Sequence, residues 1–270
     1  MTPPELDVPA LETARRLAES GDLDGSARIF AELAADPEEP DRAQAAVGLA
    51  VVLAERGELE DSRAAARTAL ATGHPEYAAQ AACHLAGTFE REGLADQARA
   101  AWQAVIGVGN AAYVPIAHLA LARLAATQGD PAGTERALRD ALATGDPETG
   151  PRATQWLAEL LLEEGAAADA AEVLLSALEA PHTGDPARLR VLLGIAHLDL
   201  ACAEFAEAVE SESVRGGADA ETGALAVELL ARTLPLRGRD EDAERVWSYG
   251  LEHADEQLAG LVRERLDRDL

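Results

Sequence analysis

The side chains of this 270-residue chain with an acid–base, nucleophilic or metal-binding repertoire are six histidines, two cysteines and 49 carboxylates. Their spacing gives them little to do together. His74, His84, His118, His182, His197 and His253 are never four residues apart, and none has a cysteine or carboxylate at metal-ligand spacing. A ligating histidine normally has its second nitrogen held by a partner. His118 and His197 instead fall on a helix face turned toward a neighbouring helix and read as core; His74, directly before Pro75, reads as a helix cap. Cys83 and Cys202 lie far apart and read as buried free thiols, which suits a reducing cytoplasm. No Gly-x-Ser-x-Gly elbow is present. Acidic runs such as Glu163-Glu164 read as solvated helix faces rather than paired acids in a cleft. The expectation is therefore no catalytic residue, no metal site and no cofactor.

Charge narrows the classes further. The formal net charge is −26, and all 23 basic residues are Arg. Binding to nucleic acid or to an anionic membrane needs a basic surface, so neither is expected. The absence of Lys removes Schiff-base chemistry and the P-loop. The N-terminal Met1-Thr2-Pro3-Pro4-Glu5 has no basic or apolar region of a signal peptide, and no stretch approaches the roughly 20 apolar residues of a membrane-spanning helix. A cytoplasmic location is expected.

The elements that carry these side chains are periodic. Gly21, Gly57, Gly93, Gly129 and Gly165 are spaced by 36 residues; the next step lands on Ala201, and one further residue of offset reaches Gly238. Seven positions before each stands a small residue, Ala14, Ala50, Ala86, Ala122, Ala158, Gly194 and Ala231. Five positions after stands another, Ser26, Ser62, Ala98, Thr134, Ala170, Ala206 and Ala243. Three columns held over seven copies predict seven helix pairs in residues 9–254, after a flexible segment over 1–8. Roughly a quarter of the chain is Ala, the best helix former and the smallest side chain that still buries apolar surface. Gly73-His74-Pro75, Gly145-Asp146-Pro147 and Gly184-Asp185-Pro186 stop one helix and start the next: Gly in the left-handed position, a cap, then Pro in the first turn. The sixth pair departs from the pattern. It has Ala201 for Gly, Glu210 where neighbours place Trp102, Leu138, Leu174 or Trp247, and a polar run to Gly216-Gly217 that reads as a longer loop. Residues 255–270 read as a capping helix, with Leu258, Leu261, Val262 and Leu266 on its apolar stripe and Arg263, Arg265 and Arg268 near its end.

Helix pairs with Leu-Ala in the first helix, a mid-pair Gly and a small residue five further on resemble the tetratricopeptide repeat. The 36-residue period, with Gly-His-Pro-Glu between pairs, is similar to variant repeats of high-GC actinomycete proteins. The period exceeds 34, the Trp and Tyr of the first helix are mostly absent, and the inter-pair Pro is displaced. The resemblance implies an all-α, right-handed α-α superhelix, a solenoid of seven helix pairs plus a C-terminal cap.

It also implies where function lies. In this family the first-helix face opposite the Leu-Ala stripe lines a concave groove that receives peptides. Here that face offers Gln80, His84, Arg123, Arg152, Gln155, Trp156 and Arg188, together with apolar residues such as Val47, Val51, Ile116 and Val191. Arg beside an aromatic is a frequent hot-spot composition, and Arg binds a carboxylate through two donors. The chaperone-binding carboxylate clamp of some relatives, built from Lys and Asn, is not expected: Lys is absent and the single Asn110 lies in a predicted loop. The expected function is a non-catalytic scaffold or adaptor holding a peptide or amphipathic helix of a partner protein. The alternatives are self-assembly into a homodimer and a sensor of a peptide or small ligand.

Overall fold

A computed structural model describes residues 9–180, 184–215 and 219–267. His182, Gly216-Gly217, Arg268 and the first eight residues lie outside that set. Among the described residues there is no strand, and no helix is long and apolar enough to cross a membrane. The α-helices follow in order: α1 (Ala10–Glu19), α2 (Leu23–Ala35), α3 (Arg42–Glu55), α4 (Leu59–Ala71), α5 (Pro75–Arg91), α6 (Ala95–Val108), α7 (Val114–Thr127), α8 (Pro131–Ala143), α9 (Gly150–Glu163), α10 (Ala167–Glu179), α11 (Pro186–Arg215), α12 (Ala220–Thr233), α13 (Asp240–Leu251) and α14 (Glu256–Leu266). A 3₁₀ turn, Leu234–Arg237, joins α12 to α13.

The chain forms two compact bodies, Met1–Ala153 and Thr154–Leu270. In the first, α1 packs on α2, α3 on α4, α5 on α6 and α7 on α8, and α2, α4 and α6 also pack on the first helix of the next pair. The turn inside each pair is made the same way. Gly57 has φ +82°, and the following N–H, that of Glu58, returns to the carbonyl of Leu53 at 2.9 Å. This six-to-one bond closes the helix and reverses the chain. Matching bonds flank Gly21, Gly93, Gly129, Gly165 and Gly238. Between pairs, His74 accepts from the N–H groups of Glu76 and Tyr77, and Asp146 and Asp185 accept from the N–H groups that follow them.

Reversal brings the two small columns together. Ser62 donates to the carbonyl of Ala50 at 2.6 Å, which fixes their register. Ala14, Ala50, Ala86, Ala122 and Ala158 have no exposed surface, and Ser26, Ser62, Ala98 and Ala170 are as fully enclosed. Small residues on both sides let the helix backbones approach closely, so dispersion contacts between many atoms replace the bulk that aromatic side chains would supply. A buried arginine ties α4 to α5 through carboxylates that stay in solvent. Arg63 donates to Glu60 (2.7 Å) and Glu92 (2.5 Å), with its guanidinium 4.6 Å above the Phe89 ring.

The second body differs at the sixth pair. Where two helices and a turn were expected, α11 runs unbroken for 30 residues, about 45 Å at the usual rise. Ala201 is the reason. A Cβ in the left-handed region costs about 1–2 kcal/mol, and Ala is the best helix former, so the chain continues straight. The first half of α11 packs through Leu189 and Leu192 against Ala158 and Leu174. Its second half packs through Cys202, Phe205, Ala206 and Val209 against Leu230, Leu234, Ala243 and Val246. The two halves therefore never pack on each other. His197, expected in the core, is exposed for this reason: its counterparts Leu53, Leu161 and Leu234 are buried, and the helix that would cover it points elsewhere. Finally α14 docks on α12 through Leu258 and Val262, and Arg265 is buried there, bonded to Glu228 (2.8 Å) and Glu221 (2.9 Å).

Opposite substitutions at equivalent positions should both destabilise. Gly165→Ala forces a side chain onto φ +77° and should cost about 1–2 kcal/mol. Ala201→Gly places Gly inside a helix and should cost about 1 kcal/mol. Urea denaturation of both variants checks this; a gain in stability for Ala201→Gly would show that α11 bends there.

Candidate functional site

The first helices position the predicted surface. In the first body, Gln80 and His84 stand on α5 and Arg123 on α7. The Gln80 amide donates to Glu76 at 2.6 Å. Glu76 also accepts from the Tyr113 hydroxyl (2.9 Å) and from Asn110 (3.0 Å). These donors, Tyr113 foremost and then Gln80, hold its carboxyl below the ordinary range. Arg123 is half-exposed and donates to Glu90 at 2.6 Å; the other oxygen of Glu90 accepts from the Trp102 indole at 2.6 Å. Arg152 is exposed at the start of α9 and forms no hydrogen bond or ion pair among the described residues.

His84 points toward α4, the second helix of the preceding pair. Its Nε2 lies 2.8 Å from the Ser62 hydroxyl, whose proton is already given to the carbonyl of Ala50. The imidazole must therefore donate to the serine. A serine that donates to a backbone carbonyl and receives from its histidine is not an activated nucleophile, since activation needs the proton to pass the other way. Ser62 is also wholly buried. The neighbouring Cys83 is half-buried rather than buried, and loss of solvent pushes its thiol up to about 11, so it stays protonated at neutral pH. His118 sits 3.9 Å from Asp140 on α8, where the second helix of its own pair covers it.

In the second body, Gln155, Glu159 and Arg188 form one cluster. Glu159 accepts from Gln155 at 3.0 Å and from Arg188 at 2.7 Å, joining α9 to α11. Trp156 is half-buried beside them in sequence. Arg123 and Arg188 thus share a design. Each reaches back to a carboxylate on the first helix of the preceding pair and keeps half of its side chain in solvent. Arg was readable as a feature of this face; its tie to Glu90, 33 residues away, was not, because that tie depends on the packing angle of α5 and α7.

Two concavities lie among the described residues. One of about 290 Å³ lies between α1 and α3, lined by Arg15, Gln44, Val47 and Val51 over a floor of Phe30. Gly48 permits that floor, since a Cβ there would stand 2.6 Å from the Phe30 ring. The other, about 740 Å³, lies in the second body, with Cys202, Ala206, Val209, Leu234 and Val246 inside and Arg239 and Asp242 at its edge. It was missed from the sequence, although Ala201 marked its place. Among the described residues, no three His, Cys, Asp or Glu side chains converge as a metal would require.

Desolvation, reinforced by Arg91, holds His84 below its ordinary value, and desolvation does the same to His118. The unfolded histidines take a proton near pH 6.5 while the folded ones resist it, so stability is complete above that pH and falls on acidification below it. His84→Gln should reduce the slope of unfolding free energy between about pH 6.5 and 5. An unchanged slope would mean that His84 accepts its proton freely in the folded state.

No family model matches the chain, and no curated protein matches it. Solved structures do. It is similar to a tetratricopeptide repeat protein from Parabacteroides merdae, with 15% identity over 96% of this chain and 98% of that one, TM-score 0.47. It is similar to TTC0263, a thermophilic TPR protein of Thermus thermophilus, with 25% identity over 70% of this chain and 97% of that one, TM-score 0.35. A third is BtubC from P. vanneervenii, with 17% identity over 97% of this chain and 94% of that one, TM-score 0.42. The helix-pair architecture of this chain stands on its own packing and is of the tetratricopeptide-like kind.

Proposed function

We propose that this protein is a non-catalytic scaffold that binds a peptide or amphipathic helix of a partner protein along its first-helix faces. One observation carries the reading: these faces keep large apolar side chains in water next to half-exposed arginines. Val51 and Ile116 are more than two-fifths exposed, and Val191 is 63% exposed. A lone exposed apolar residue is ordinary; a repeated one on the first helices α3, α7 and α11 favours a partner. Arg123 and Arg188 each give one nitrogen to an internal carboxylate, which leaves further donors in the guanidinium fork for a second acceptor. The matching ligand presents an apolar ridge and a single carboxylate. A strongly acidic ligand is disfavoured, because the net charge of −26 repels it. Glu90 and Glu159 hold the arginines in place before binding, which lowers the entropy lost on association.

The test is affinity capture from the native host with the wild-type chain beside Arg123→Glu/Arg152→Glu/Trp156→Ala, after matching their helical content by circular dichroism. Loss of one or two hot-spot contacts should weaken a captured partner by at least about 30-fold. A partner that binds both chains equally would move the interface off the first-helix faces and overturn the reading.

A further inference from the structure

The cavity of about 740 Å³ in the second body has no part in the first-helix reading. α11 supplies Cys202, Ala203, Ala206 and Val209 to its wall; Leu230 and Leu234 come from α12 and the turn after it, and Val246 and Tyr249 from α13. The residues of α11 leave this space open. Trp102, Leu138 and Leu174 share one repeat position of the second helices and are buried, whereas α11 holds Glu210 there, exposed at the cavity's edge. The other α11 residues on the wall are mostly small, so no large side chain fills the gap. Loss of solvent, ahead of the nearby Asp199, pushes up the Cys202 thiol, as an apolar interior requires. Between Asp242 and Tyr249 the α13 wall runs about 10 Å at the usual rise. A volume of this size is ordinary for a small-ligand site.

The polar groups at the edge are arranged unequally. Arg237 closes on Asp199 with two bonds, of 2.7 and 3.0 Å, and the two charges cancel. Asp242 instead serves two arginines. One of its oxygens accepts from Arg239 Nε at 2.6 Å and the other accepts from Arg245. Both arginine side chains are more than half exposed. Arg239 is held through Nε alone, and its two terminal nitrogens form no hydrogen bond among the described residues. A carboxylate takes two parallel donors of this kind together. Asp242 stays ionised to orient the guanidinium, since Arg239 foremost holds its carboxyl below the ordinary range. Glu163 and Glu210 also border the cavity, both exposed. With the net charge of −26 they oppose a ligand that carries several negative charges, and a single one is the match.

We propose that this cavity binds a linear aliphatic monocarboxylate, its hydrocarbon chain against Ala206, Val209 and Val246 and its carboxylate on the terminal nitrogens of Arg239. The chain loses contact with water along most of its length, and the guanidinium distinguishes the acid from an alcohol of equal length. The site belongs to α11, α12 and α13 and does not depend on the peptide-binding reading of the first helices.

The test is titration calorimetry of the full chain at neutral pH with decanoate, octanoate, decanol and decyltrimethylammonium. Decanoate should bind with one-to-one stoichiometry. Octanoate, shorter by two methylenes, should bind about fifteenfold more weakly. Arg239→Gln should weaken decanoate by about tenfold or more and leave decanol unchanged, because only the acid uses the guanidinium. Ala206→Phe, which fills the cavity, should abolish binding of both. Circular dichroism checks that each variant keeps its helix content, and the exposed Arg239 variant carries the test if the Phe variant does not fold. Absence of decanoate binding at millimolar concentration would overturn the proposal. So would an Arg239→Gln variant that binds decanoate as the wild type does, or loses decanol equally. Tighter binding of decyltrimethylammonium than of decanoate would also overturn it, by assigning the edge to a cation.

Discussion

The whole structure depends on a backbone that can turn left-handed once per pair. Six glycines with φ between +68° and +86° end a first helix and send the next one back along it. Only then do the two small columns meet, and only then can a core built mainly from Ala exclude water. Ala buries little area, at roughly 25 cal/mol per Å², so its contribution comes from number and from the close approach it permits. A core of this kind has no large side chain to absorb an error in helix spacing. Its register is set by the turn and by pins such as the Ser62–Ala50 hydrogen bond.

This dependence explains what was legible in the sequence. The pair period, the turn glycines and the inter-pair caps follow from local backbone chemistry, and His74 and Asp185 cap as their positions before Pro suggest, whereas Asp146 holds a turn ahead of α9, which starts only at Gly150. The columns identify which residues would be buried if each helix had its usual neighbour. They do not say whether the neighbour is there. His197 occupies a core column and is exposed, because a single Ala at 201 removed the turn that would have covered it. The penalty for left-handed Ala is about 1–2 kcal/mol, a small term that nevertheless decides the path of 30 residues, since tertiary contacts are available to α11 on either path.

The arginines of the candidate surface show the complementary limit. Residue type and face were readable, but partners were not. Arg123 finds Glu90 and Arg188 finds Glu159, each one pair back, while His84 reaches Ser62 on the second helix of the preceding pair. Such bonds depend on how neighbouring first helices cross, and crossing angle is a property of packing that residue spacing along the chain does not encode. In an exposed setting these pairs contribute little to stability. Their consequence is orientation: a guanidinium anchored at one nitrogen presents the others in a fixed direction.

The candidate surface follows from one rule of the architecture. A second helix covers one side of each first helix and leaves the other side to solvent, so the uncovered side accumulates residues suited to contact with something else. Arg123, Ile116 and their equivalents occupy that side throughout. At α11 the rule is suspended and the normally covered side is open too, with Gly194 and Arg190 in water. Gly at an exposed, mid-helix position lowers helix stability by up to about 1 kcal/mol relative to Ala and gains nothing from solvent. At the corresponding position of the other first helices the covering second helix comes close, and a small side chain, usually Ala, is enclosed there.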